Sequence, residues 1–291
     1  MEKQTTAPTL WFASCFVGQE ESATLAFVPN SIITLTTDFG LGDPFAGIMK
    51  GVILSVNPKA RIVDITHGVP SHDILAGAMA LQSSCFYFPK GTIHLAVVDP
   101  GVGSNRRPLL AISDDYAFVG PDNGLLAHAI SSEQRVRVFH LTEADHFLKP
   151  VSQTFHGRDV FAPVAAWLSR GTAPESFGKV IDDWIRLDWP TPRRVGNSLF
   201  GTVLRVDRFG NLVTNISAGD LVCPTSTPQE IEIEIRGRTI RQLCRFYSEA
   251  TRDDPFAIIG SAGLLEIAVR EASAAALLGV GPREEFEVRF F

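Results

Sequence analysis

The stretch IITLTT (residues 32–37), DPFAGIMKGVILSV (43–56), RIVDIT (61–66), ILAGAMALQSSCF (74–86) and TIHLAVV (92–98) decides the fold. The first, third and fifth pieces are β-branched and short, which predicts strands. The second places Phe45, Ile48, Met49, Val52 and Ile53 at helical spacing, and Pro58 ends it. The fourth predicts a second helix. A β-α-β-α-β order demands crossover connections, and crossovers are right-handed, so these strands are expected to lie parallel in one sheet. Working outward, shorter strands are expected near residues 109–113, 116–120 and 136–140. An amphipathic helix is expected over 160–170 with Asp159 as its N-cap.

Toward the C-terminus the texture changes. Residues 184–197 (WIRLDWPTPRRVGN) are rich in Pro, Arg and Trp and fit a linker. Strand signals follow at 199–206, 213–216, 230–235, 238–246, 256–259, 264–269 and 285–290, separated by Gly, Pro and Asp. They predict a small all-β barrel or sandwich. The expected organisation is an α/β N-terminal domain with a central, mostly parallel sheet over 31–187, and a smaller β-barrel-like domain over 195–291. Residues 1–30 are weakly patterned and read as an N-terminal extension, an extra strand at most.

Composition narrows the function. The chain has 291 residues, 45% hydrophobic and 20% charged, which is ordinary globular usage. A net charge of −6 argues against nucleic acid as the main partner. No apolar run approaches the roughly 20 residues of a membrane helix. Cys15, Cys85, Cys223 and Cys244 show no CxxC spacing and are expected as buried thiols in a reducing, cytoplasmic setting.

In an open α/β sheet, ligands bind at the carboxyl ends of the strands. Here those ends carry Thr37-Asp38-Phe39-Gly40 after the first strand and Asp99-Pro100-Gly101-Val102-Gly103 after the third. A carboxylate there suits a vicinal diol such as a ribose, since its oxygens accept from both hydroxyls. The plainer alternative is that Asp38 or Asp43 caps the next helix. Gly101-x-Gly103 is not a dinucleotide fingerprint, because Arg106 stands where the third glycine belongs. Asp64, His67, His72 and Asp73 form the densest His/Asp cluster, but without a fixed ligand spacing. His156, just ahead of a helix, is either a base or a packed, backbone-bonded histidine. Phe209, Gly210 and Asn211 either present an aromatic face beside an amide or form a plain β-turn. Trp184 and Trp189 are expected in core and linker packing.

Seven segments in order resemble one family: TTDFGLGDPFAGIMKGVILSVNP (36–58), RIVDITHGVPSHDILAGAMAL (61–81), HLAVVDPGVGSNRR (94–107), FVGPDNGLL (118–126), TFHGRDVFAPVAAWL (154–168), VDRFGNLVTNI (206–216) and GSAGLLEIAV (260–269). They are similar to the adenosine-forming S-adenosyl-L-methionine (SAM) hydrolases, or SAM hydroxide adenosyltransferases, relatives of fluorinase and chlorinase. The resemblance implies hydrolysis of SAM to adenosine and L-methionine without cofactor or metal. It implies a homotrimer with each site shared between neighbouring subunits. It assigns Asp99, Arg106 and His156 to the water-orienting triad, and Asp38 to the ribose hydroxyls. Phe155 and Phe209 would flank the nucleoside, and Asn211 would bond the adenine. Asp207 and Ser261 would hold the methionine ends, with Glu266 and the Val269 backbone on the adenine side.

The halogenating relatives lack this triad, and fluorinases carry an extra loop in the first domain. Between His94 and Asp122 this chain has no insertion, and Asp99 would put negative charge where a halide belongs. A hydrolase is therefore expected over a halogenase. A SAM- or adenosine-binding sensor is the other alternative, and it would need no water-activating set.

Overall fold

The structure is a computed structural model that describes residues 27–222 and 231–291. Cys15, Cys223 and the 1–26 part of the N-terminal extension lie outside the described residues. The first half is built on strands β1 (Ile32–Thr37), β2 (Arg61–Thr66), β3 (Ile93–Val97), β4 (Pro108–Ile112), β5 (Ala117–Pro121), β6 (Arg137–Leu141) and β7 (Gly178–Ile181). Helices α1 (Phe45–Val56), α2 (Ile74–Cys85), α3 (Ala127–Ser131) and α4 (Ala162–Ser169) accompany them. The sheet order is β2-β1-β3-β5-β4-β6-β7.

β1, β2 and β3 run parallel, as the crossover pattern requires, and β5 is parallel to β3, whereas β4, β6 and β7 pair antiparallel. The sheet is therefore mixed rather than mostly parallel. The chain reaches β4 through a loop with no helix, so β4 has no crossover to make it parallel; it turns back and pairs with β5 as a hairpin.

Alternation along the strands sends side chains to two helical layers. Ile33, Leu35, Leu95 and Val97 pack with Met49 and Ile53 of α1 and with α4. Ala96, Val98 and Phe118 pack with Leu81 and Cys85 of α2 and with Ile130 of α3. Cys85 is a buried free thiol, pushed up to about 12 by burial and then by the charge of Glu133. Cys244, in the second half, is also free and buried.

Two local expectations are corrected. Asp159 is not an N-cap. Residues Gly157–Phe161 form a π-helical turn ahead of α4, with His156 at its N-cap position. The Asp159 carboxylate is wholly buried inside that turn, pairs with Arg158 at 2.6 Å and accepts the Ser152 N–H at 2.8 Å, tying down the loop before it. Helix α4 is buried on nearly every side rather than amphipathic, because α1 packs against it.

The second half is a nine-stranded sheet: β8 (Arg193–Val195), β9 (Ser198–Val206), β10 (Leu212–Ser217), β11 (Ile231–Ile235), β12 (Arg238–Ile240), β13 (Leu243–Cys244), β14 (Pro255–Ile259), β15 (Leu264–Val269) and β16 (Glu285–Phe290). Its order is β12-β11-β16-β9-β10-β15-β14-β13, with β8 on β9. The sheet curls so that β12 meets β14, without a hydrogen-bonded seam, around a core of Leu199, Val203, Ile216, Ile267 and Val288. It is a curled half-barrel rather than a closed one. The strand expected over 238–246 is two strands, since β12 pairs β11 while β13 pairs β14. A short helix, α5 (Ala274–Leu278), capped by Ser273, packs Ala274 and Leu278 into that core.

The Pro/Trp-rich connector is not a free linker. Trp184 packs on the α2/α3 layer, the Trp189 ring lies 3.9 Å from that of His128, and the Ile185 N–H donates to Asp122 at 2.7 Å. Among the described residues, no helix is long and apolar enough to cross a membrane.

Candidate active site

The carboxyl ends of β1 and β3 open into a cleft of about 270 Å³ lined by Asp38, Phe39, Phe45, Asp99, Phe155 and His156, among others. Asp99 follows β3, and Arg106 lies seven residues on, at the far end of the loop that leads to β4. The Arg106 Nε donates to both Asp99 oxygens at 3.0 Å, and its terminal NH2 also bonds Asp99. The same NH2 lies 2.8 Å from Nδ1 of His156. The Arg106 and Asp99 side chains are only 8% and 5% exposed. A buried ion pair of this kind fixes geometry more than it adds stability. The Arg106 guanidinium lies over the Phe161 ring at 5.2 Å, so the π-helical turn backs the triad.

Glycine makes the loop possible at one place. Gly103 has φ +77°, and a Cβ there would stand 2.2 Å from the Gln153 carbonyl oxygen. Only a residue without a side chain lets the Asp99–Arg106 loop close on the segment that carries His156. The His156 pKa is lowered from the usual histidine value, by burial first and then by the Arg106 charge, with Asp99 and Asp159 opposing. Burial and a cation both disfavour the imidazolium.

Asp38 does not cap α1, whose N-cap is Pro44 with no side-chain bond, and Asp43 does not cap it either. The Asp38 Oδ2 accepts the backbone N–H of His72 at 2.9 Å. His72 holds a left-handed φ of +67° to present that N–H. The rings of Phe39, Phe45 and Phe155 meet at 5.2–5.9 Å in tilted and edge contacts, forming an aromatic wall. A single face shared with Met49, Val52 and Ile53 would bury Phe45 and Ile48 together. Instead both are partly exposed, and Ala46, Met49 and Ile53 form the buried face of α1. The helix is turned slightly from the face its pattern suggested, which frees Phe45 for the cleft.

The His/Asp cluster disperses. Asp73 caps α2 through the Ala76 N–H, Asp64 pairs with Lys50, and His67 bonds Thr37 and faces Asp64 at 3.1 Å. Among the described residues, no three His, Cys, Asp or Glu side chains converge as a metal site.

The residues expected from the second half gather around another pocket, of about 660 Å³, lined by Phe209, Asn211, Tyr247, Val269 and Ser273, among others. The Asp207 carboxylate builds the turn before it, accepting the N–H groups of Phe209 and Asn211 at 2.8 Å and the Asn211 side-chain amide at 2.9 Å. Gly210, at φ +87°, fits against Ser273 only because it has no Cβ. The result is a Phe209 ring 80% exposed above a buried Asn211. Glu266 does not line this pocket itself. It lies behind Tyr247, whose hydroxyl donates to it at 3.2 Å, and burial raises its pKa. Ser261 is exposed on the turn between β14 and β15. The residues lining this pocket and the cleft come from different halves of the chain, with none in common.

Sequence reasoning missed Phe45, His72 and Tyr247 as lining residues. Phe45 shares a helical face with Met49 and Ile53, the left-handed conformation of His72 has no side-chain signature, and Tyr247 opens a single 3-10 turn (Tyr247–Glu249) too short to show a period.

The same fold is found in a solved structure. A conserved protein of Thermotoga maritima superposes with a TM-score of 0.82 at 32% identity, covering 89% of this chain and 99% of that one. Residues 33–178 match the SAM hydroxide adenosyltransferase N-terminal domain, and 201–287 match the corresponding C-terminal domain; the chain belongs to that family. It is 38% identical over 263 residues to the (R)-S-adenosyl-L-methionine hydrolase of Salinispora tropica, covering 89% of this chain and 98% of that protein. A fluorinase of an Actinoplanes species is more distant, 27% identical over 219 residues.

Proposed function

We propose that this protein hydrolyses SAM to adenosine and L-methionine by in-line attack of water on the ribose C5′. The observation that carries this reading is the buried Asp99–Arg106–His156 array at the wall of the cleft that also holds Asp38, in a chain of this family. A sulfonium is already a good leaving group, so the step needs an aligned nucleophile more than an acid or a Lewis acid. Water held about 3–3.5 Å from carbon in the right direction gains most of its rate from positioning.

Each residue has a part. Asp38 accepts from the ribose hydroxyls with the lone pairs that His72 leaves free. Phe155 packs on the nucleoside. Asp99, oriented by Arg106, accepts the water's proton. The new C5′–O bond forms as the C5′–S electron pair leaves on the thioether of methionine. His156 directs its remaining ring nitrogen at the water. Neither a metal nor a cofactor takes part.

The second half supplies the rest: Phe209 and Asn211 for the adenine, Asp207 and Ser261 for the methionine ends, and Glu266 and the Val269 backbone behind the adenine. The exposed Phe209 ring favours a site closed by a second copy of the chain. We therefore extend the reading to a homotrimer in which residues 31–187 of one subunit face residues 195–291 of its neighbour, working in the cytoplasm.

The hydrolase relatives are named for the R form, and that descriptor falls on the sulfonium because the α-carbon is already specified as L. The R epimer is accordingly the expected better substrate. Incubating purified protein with each epimer, with and without a chelator, tests the reading. Equal release of adenosine and methionine, unaffected by the chelator, is expected. A 5′-halo-adenosine as the favoured product in halide, or binding of SAM without turnover, would replace the hydrolase with a halogenase or a sensor.

A further inference from the structure

The triad loop, residues 99–107, leaves β3 and returns as β4, yet β3 and β4 are not neighbours: β5 lies between them. The loop must therefore cross the carboxyl end of β5. The turn that follows β5 there is Asp122-Asn123-Gly124, and it bonds both ends of the loop above it. The Asn123 side-chain amide donates to the carbonyl of Val98, the residue before Asp99, at 2.9 Å. The Asp122 N–H donates to the carbonyl of Arg107, the residue after Arg106, at 2.8 Å. The Asp122 carboxylate accepts the Arg107 Nε at 2.8 Å and is only 2% exposed.

The turn also holds the connector to the second half. The other Asp122 oxygen accepts the Ile185 N–H, Gly124 packs against Leu187, and Arg107 reaches Asp183 at 2.7 Å. A buried carboxylate with its charge paired and both oxygens bonded is a rigid anchor, and Asp122 is not among the residues that line the cleft.

We propose that Asp122 and Asn123 are positioning residues for the hydrolysis, clamping the two ends of the triad loop so that Asp99 and Arg106 keep their angle to the water. This rests on the SAM hydrolase reading. Misplacing the reacting groups by a fraction of an ångström lowers the chemical step while leaving nucleoside binding, made by Asp38 on another loop, intact. Asp183 is 71% exposed, and its pair with Arg107 carries little by comparison.

The test compares Asp122→Asn, Asn123→Ala, Asn123→Asp and Asp183→Asn with the wild type, measuring kcat, KM for SAM, adenosine affinity by calorimetry, and Tm. Asn123→Asp keeps the oxygen that accepts the Leu125 N–H but loses the donor to Val98. The expected result for folded Asp122 and Asn123 variants is a fall in kcat of about 10-fold or more with adenosine affinity within about twofold of wild type. Asp183→Asn should keep wild-type kcat. If Asp122→Asn does not fold, the two Asn123 variants decide. Wild-type kcat in the Asn123 variants, or parallel losses of kcat, adenosine affinity and Tm, would overturn the positioning role. A wild-type protein that releases no adenosine from SAM would instead remove the hydrolase reading on which the role depends.

Discussion

Arg106 and His156 meet through a terminal guanidinium nitrogen and Nδ1 at 2.8 Å. A guanidinium has donors only, so Nδ1 must be the acceptor, and the imidazole is neutral with its proton on Nε2. The ring therefore offers an N–H, not a lone pair, to anything beyond it. In the proposed reaction this makes His156 the group that fixes the water and leaves Asp99 to accept the proton. Protonating His156 would break the bond to Arg106.

A pH dependence follows. Burial, and then the Arg106 charge, lower the His156 pKa from its ordinary 6.5. The neutral form, and with it activity, should persist as pH falls past 6.5 and be lost only as pH passes through the lowered value. NMR titration of the His156 ring should give a midpoint below 6.5, rising in Arg106→Gln. An acid limb of kcat above 7, or a midpoint unmoved in Arg106→Gln, would contradict the assigned tautomer.

Asp38→Ala should weaken adenosine binding by on the order of 2–4 kcal/mol, since one carboxylate would make two charge-assisted bonds to the ribose. Calorimetry on the folded variant checks this. Unchanged affinity would mean that Asp38 serves only to receive the His72 N–H.

Gly103→Ala should cost more than about 1 kcal/mol of stability, because the new Cβ must fit at positive φ against a carbonyl oxygen 2.2 Å away. The displaced loop carries Asp99 and Arg106, so activity should fall further than Tm alone explains. Denaturant titration beside an assay reads both. A variant as stable and active as wild type would show that the loop need not approach Gln153 closely.

Glu266 gives a stability test. Burial raises its pKa, with the Asp207 charge adding and the Tyr247 hydroxyl bond opposing. A carboxyl with a raised folded-state pKa costs nothing while it is neutral in both states, below its ordinary 4.5. The cost builds as pH rises from the ordinary 4.5 to the raised folded value and is constant above it. Glu266→Gln, neutral at every pH, should therefore gain Tm relative to wild type as the pH is raised from 4 to 8. A constant difference across that range would mean that the buried carboxylate is not penalised.

The shared site can be tested by complementation. Asp99→Ala disables the triad and Asn211→Ala the adenine pocket. If the site spans two subunits, co-refolded mixtures contain interfaces with both contributions intact, and part of the activity returns. Mixtures no more active than the separate variants, or an active monomer by light scattering, would remove the shared site without touching the hydrolase reading.

Much of this was legible in the sequence. β1, β2 and β3 are short β-branched runs and α1 and α2 carry helical spacing, and the structure agrees with their expected bounds to within a residue or two. The antiparallel β4 was not legible: LLAIS and YAFVG are equally apolar runs, and strand direction depends on the connection, not on composition. β7, β8 and α5 are too short to show a period. Asp159 misled because an acidic residue ahead of an apolar run looks like a cap, whereas a loop nitrogen at Ser152 claims its carboxylate. The triad residues stood out only as a set within the family pattern, since the Asp99–Arg106 pair is formed by a loop closure with no periodic signature. Phe209 read equally well as a plain turn until the turn was seen to leave its ring uncovered.

Oxygen-18 tracing tests the central claim most directly. Purified protein turning over (R)-SAM in labelled water should place one label at the adenosine 5′ hydroxyl and none in methionine, with adenosine and methionine formed in equal amounts. Unlabelled adenosine, a label in methionine, or methylthioadenosine as the nucleoside product would contradict attack by an oriented water at C5′.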